Sequence, residues 1–145
     1  MENNLLLRII SKLLIPFIAL FAFYVQFHGD FGPGGGFQAG VILAAAIILY
    51  SLIFGIKKSQ TLITIRFLKL SMCFGLVLYC ITGFFGIFSG SNFLDYNTLN
   101  SNHIFAQELG IFIVELGVGI CVFSVMLLIF YLFVSRGRKW YQFYY

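Results

Sequence analysis

Four long stretches almost free of charge limit this chain more than any other feature. Residues 5 to 27 carry only Arg8, Ser11, Lys12 and Gln26 as conspicuous polar groups, and comparable apolar runs recur three more times. At 1.5 Å of rise per residue, about 20 helical residues cross the 30 Å hydrocarbon core of a bilayer. Of the 145 residues 61% are apolar and 10% charged, whereas a soluble domain carries about 25% charge. So little charge cannot cover a globule of this size. The expectation is a single-domain, all-α integral membrane protein with transmembrane helices over about 7–27, 37–56, 70–88 and 109–134. The first run starts basic, as a signal peptide does, but no Ala-x-Ala-like site ends it and further apolar runs follow. It is therefore kept as the first span, with Arg8 and Lys12 snorkelling to the interface.

Orientation follows from the basic residues. They occur near the N-terminus, between spans two and three (Lys57, Lys58, Arg66 and Lys69), and after span four (Arg136, Arg138 and Lys139), while the two remaining loops hold neither Lys nor Arg. With four spans these segments share one side, which the positive-inside rule makes cytoplasmic, termini included. Trp140, Tyr141, Tyr144 and Tyr145 supply rings of the kind that settle at headgroups. The net charge of +4 thus bears on topology and anionic lipid, and nucleic-acid binding is not supported.

Between the first two runs lies His-Gly-Asp-Phe-Gly-Pro-Gly-Gly-Gly-Phe-Gln-Ala-Gly, His28 to Gly40. Phe27, Phe31 and Phe37 frame it, so it reads as a folded turn rather than a linker. The glycines, Gly34 and Gly35 among them, permit positive φ and close backbone approach, and Pro33 steers Gly32 away from helix. A phosphate-loop reading fails because no strand precedes the glycines. Gly32, Gly36, Gly40 and Ala44 recur every four residues, a small-residue stripe suited to helix association, although glycine is also simply common in membrane helices.

Few residues offer chemistry. Glu108 and Glu115 fall seven apart on one helix face in the echo Glu108-Leu109-Gly110 and Glu115-Leu116-Gly117. Glu115 lies 21 residues before Arg136, about 31 Å of helix, which puts it near the outer edge of the core if the helix stands upright. It is a candidate for a proton or cation path, with an interfacial carboxylate bonded to a neighbouring subunit as the alternative. His28 and Asp30 share the outer turn, either as a cation-attracting funnel or as a solvated loop pair. Cys73, Cys80 and Cys121 read as small buried hydrophobes. His28 and His103 fall in outer loops, which disfavours haem ligation. With no nucleophile and base pair and no metal-ligand spacing, the chain reads as a non-enzyme without metal or cofactor.

The run Gln26 to Gly40, with Pro33-Gly34-Gly35-Gly36-Phe37 at its centre, resembles the signature of the MnhB-like subunit of the Mrp-type (Mnh or Pha) multisubunit Na⁺/H⁺ antiporters. Length, four spans and loop charges resemble that family over nearly the whole chain. Members often carry histidine where this chain has Asp30. The resemblance implies a small accessory subunit in a prokaryotic plasma membrane, packed with other antiporter subunits in a complex that exchanges Na⁺ or another monovalent cation for H⁺. Related MnhB-like subunits of membrane-bound hydrogenases and a purely structural spacer are the competing readings.

Overall fold

The computed structural model describes residues 5–29, 34–100 and 102–143, with the side chains of 137–143 left undescribed. Asp30, Phe31, Gly32 and Pro33 lie outside the described residues, so the functional expectation for Asp30 and the turn expectation for Gly32 and Pro33 are not addressed by it. Among the described residues there is no strand. The chain forms α1 (Leu5–Phe27), α2 (Gly36–Phe54), α3 (Ile56–Leu62), α4 (Ile65–Phe88) and α5 (His103–Phe143), with a short 3₁₀ turn at Tyr96–Leu99. Four helices among the described residues are long and apolar enough to cross a membrane: α1, α2, α4 and α5.

Local chemistry sets the breaks. Pro16 removes one backbone donor within α1, yet the helix continues through it. At Gly55 the backbone turns to φ +93, a conformation that side chains rarely adopt, and this ends α2 while its N–H still bonds to Ser51 O. The basic connection is therefore not a plain loop. Residues 56–62 form the short helix α3, which buries Ile56 and Ser59 and leaves Lys57 and Lys58 exposed. Thr64 then caps α4, its hydroxyl accepting from the Phe67 N–H at 3.2 Å. That helix takes in Arg66 and Lys69 before its apolar stretch.

α5 is the axis of the bundle. It packs against α2 on one side and α4 on the other, while α1 rests mainly on α2. Contact surfaces are built from small residues: α2 buries Gly36, Ala39, Gly40, Ala44 and Ala46, and α4 buries Gly75, Gly83 and Gly86. The large side chains point outward, as Phe17, Leu20, Phe74 and Phe133 do. Where lipid tails are as apolar as leucine, exposing leucine gains and loses little, so helices meet through close backbone approach instead. Cys73 is exposed and Cys80 and Cys121 are half-buried, all three as free thiols, which corrects the expectation of small buried residues.

The end of the bundle beside α3 is joined differently. Ile56, Leu68, Leu127 and Tyr131 form an apolar cluster, and within it three hydroxyls link three helices. Ser59 Oγ lies 2.6 Å from Tyr131 Oη and 2.6 Å from Ser51 Oγ, which is 2.8 Å from the Ile47 carbonyl. Each hydroxyl has one proton and a carbonyl only accepts. Ser51 Oγ shares its proton between Ser59 Oγ and the Ile47 carbonyl, and in the Ser59–Tyr131 pair either hydroxyl donates to the other.

At the opposite end the Asn-rich loop folds back on the helices. Ser91 N–H donates to Gly86 O at 3.0 Å, the Phe93 ring fills the space above Gly83, and Tyr96 lies against Gly110. Asp95 caps the 3₁₀ turn by accepting from the Asn97 N–H. Gly90, at φ +82 with open space around it, serves the turn rather than a helix contact.

Candidate functional site

Glu115 projects from α5 into the gap where α1 ends and α2 begins. A Cβ built on Gly29 would stand 2.5 Å from Glu115 Oε2, and one on Gly35 would stand 2.6 Å from Oε1. Both are closer than real Cβ atoms come, so the carboxylate occupies room that exists because these two positions lack side chains. Gly36 presses on the backbone itself, where a Cβ would overlap the Glu115 carbonyl. One turn further on, a Cβ on Gly40 would lie 2.5 Å from Gly119 O. Two four-residue steps, Gly36 and Gly40 on α2 and Glu115 and Gly119 on α5, therefore mesh backbone to backbone. Ala44 extends the buried edge at 1% exposure.

The level of this site differs from helix to helix. Gly36 is the first residue of α2. On the other side of α5, Gly117 meets Gly75, which lies about 15 Å from the start of α4 and about 20 Å from its end at 1.5 Å per residue. Glu115 thus lies level with the first turn of α2 and with the middle of α4. α2 therefore begins well short of the level that α4 and α5 reach.

The remaining sequence candidates separate from this centre. His28 is exposed, its ring stacked on Tyr24 at 4.5 Å and its N–H bonded to Tyr24 O, which extends α1 by a residue. Phe37 is 62% exposed, so it faces outward from the turn instead of packing within the chain. Gly34, at φ +136, adjoins the Gln38 side chain and Val25. Glu108 is exposed on α5, two turns from Glu115. His103 is exposed at the first turn of α5. Of these residues only Gly35, Gly36 and Gly40 gather at Glu115 and the helix it stands on.

One participant escaped the sequence reading. Gln26 lines a cavity of about 250 Å³ with Ala39, Gly40, Leu116, Gly119 and Phe123. Its Nε2 is buried without a hydrogen-bond partner among the described residues, while its Oε1 would be 2.6 Å from a Cβ on Gly119. Burying an amide donor unbonded is costly, which makes a polar group in an otherwise apolar cavity conspicuous. Its signal in the sequence was a lone Gln one turn before the glycine run. Among the described residues, no group of three or more His, Cys, Asp or Glu side chains could hold a metal ion.

Small-residue contacts, outward-facing apolar side chains and four helices of spanning length define a multi-pass membrane protein. Residues 6–128 match the family described as a domain related to the MnhB subunit of the Na⁺/H⁺ antiporter, and the chain belongs to that family. A protein of Staphylococcus aureus strain MRSA252 named "Putative antiporter subunit mnhB2" is 34% identical over 143 residues, covering 95% of this chain and 99% of its own length. A protein of Staphylococcus haemolyticus strain JCSC1435 with the same name is 32% identical over 141 residues, with the same coverage.

Proposed function

We propose that this chain is an accessory subunit of a multisubunit Na⁺/H⁺ antiporter and that Glu115 stands beside an ion path completed by other subunits. Family membership and the names of the relatives support the first part. The observation that carries the second is the glycine clasp: Gly29 and Gly35 make room for one carboxylate, and Gly36 for the backbone that bears it, at a level where α4 and α5 continue. An ionisable group among apolar helices is expensive and is usually retained for transport. His28, Asp30 and Glu108 are further candidates on the same side of the chain. Both termini face the cytoplasm of a prokaryotic cell in this reading, as the distribution of basic residues favours. Partners are the other subunits and the surrounding lipid, and the ions are Na⁺ and H⁺.

The test uses membrane vesicles carrying the whole complex, in which cation-dependent ΔpH is recorded. Glu115→Gln keeps the shape and removes the charge, and exchange falls to background with assembly intact. Gly35→Val fills the clasp and lowers the amount of assembled complex. Undiminished exchange by fully assembled Glu115→Gln complex would leave the chain a packing subunit without a part in the path.

A further inference from the structure

At the end of α1 remote from the glycine turn, a cavity of about 440 Å³ opens between α1, α2 and α3, lined by Arg8, Lys12 and Lys58 with Pro16, Tyr50 and Phe54. Arg8 and Lys12 stand over one ring: Arg8 Cζ is 5.9 Å and Lys12 Nζ 6.0 Å from the Phe54 centroid. A phenyl face attracts a cation but does not neutralise two. Arg8 Nε is buried and has no hydrogen-bond partner among the described residues. The described acidic residues, Asp95, Glu108 and Glu115, belong to the other end of the bundle. Three like charges and one unbonded buried donor therefore share a space that an anion would complete.

We propose that this cavity binds the phosphate of an anionic membrane lipid. The guanidinium presents parallel N–H groups that match two phosphate oxygens, and two lysines add point charges around them. Phosphate is the shared chemistry of a headgroup and of the free ion, and the rest of the wall favours the headgroup. Pro16 and Phe54 form an apolar side, and the cavity sits at the ends of spanning helices, Arg8 in the first turn of α1 and Phe54 the last residue of α2. Leu13 and Leu20 of α1 are exposed further along the helix, where acyl chains run. Basic recesses between transmembrane helices are suited to such headgroups. The site requires only a multi-pass membrane chain, not the antiporter reading.

Native mass spectrometry of the full-length chain and of its native assembly, extracted in mild detergent, tests it. Phosphatidylglycerol, phosphatidylcholine with the same acyl chains, and inorganic phosphate are added in turn. Wild type retains one phosphatidylglycerol in preference to phosphatidylcholine, and inorganic phosphate does not displace it. Each cation removed weakens retention about fivefold, so Lys58→Gln loses about fivefold and Arg8→Gln with Lys12→Gln about 25-fold. Lys58 is exposed on α3, so its variant reads the site without disturbing α1. Equal retention of both lipids, unchanged retention in Lys58→Gln, or displacement by inorganic phosphate would overturn the proposal. So would retention by the isolated chain that is lost in the assembly, which would mean that an acidic segment of another subunit fills the cavity.

Discussion

The two ends of this bundle are fastened by opposite means. Around Glu115 the helices meet because side chains are missing: Gly36 and Gly40 set α2 against the backbone of α5, and Gly75 and Gly117 do the same for α4. Beside α3 they meet because side chains reach across, Tyr131 of α5 to Ser59 of α3 and Ser59 to Ser51 of α2. Backbone contact leaves no freedom of fit, since an added methyl has nowhere to go. Hydroxyl contacts depend on partners, and their failure is graded by how many protons lose an acceptor. The glycine end is thus the intolerant one, and it is the end that carries the carboxylate.

This difference breaks first at Gly36. Its Cβ would overlap the Glu115 carbonyl, and backbone cannot swing aside as a side-chain tip does. Gly36→Ala should cost about 3 kcal/mol, the upper range for overpacking, read as a fall in the melting temperature of the complex and in its membrane yield. Phe37→Ala beside it, on an exposed side chain, should stay within about 0.5 kcal/mol on the same measurement. Equal losses at the two positions would show that the backbone contact is not what holds α2.

At the hydroxyl end the number of bonds each group makes predicts unequal effects from two similar deletions. Ser59→Ala takes the shared partner from both the buried Tyr131 hydroxyl and Ser51 and should cost about 2 kcal/mol. Tyr131→Phe removes one bond and leaves Ser51 still donating to Ser59, so about 1 kcal/mol is expected. Thermal unfolding of the two variants and of their double mutant separates the terms, with the double mutant less than additive. A larger loss from Tyr131→Phe would show that Ser59 is not the hub of the three hydroxyls.

Helix number and the small-residue edge of α2 were legible in the sequence for a plain reason: both are periodic and local, one in hydropathy, the other in the spacing of Gly36, Gly40 and Ala44. Glu115 was legible because a carboxylate in an apolar run is costly. Its partners were not, since the clasp joins Gly29 and Gly35 to a residue 80 or more positions away, and no local pattern records such a contact. The same holds for Ser51, Ser59 and Tyr131, each ordinary on its own. Gly55 ended α2 early and let Lys57 and Lys58 fall on a helix, an outcome that hinges on one positive φ. Gly86 and Gly90 share the four-residue spacing of the α2 stripe, yet Gly86 seats the returning loop while Gly90 turns in open space.

Tyr96 combines the two means of fastening and gives the smallest effect. Its ring rests where Gly110 has no side chain, and its phenol is pushed above the ordinary tyrosine value of 10.0, by burial first and by the neighbouring Tyr79 second. The sign follows from linkage. The folded state holds the phenolic proton more tightly than the unfolded chain, so its contribution is complete below pH 10 and is lost as pH rises through the raised value. Melting temperatures of the complex taken across this alkaline range should fall more steeply for wild type than for Tyr96→Phe, while the two curves run parallel at neutral pH. Parallel curves throughout would mean that the loop does not keep Tyr96 seated on Gly110.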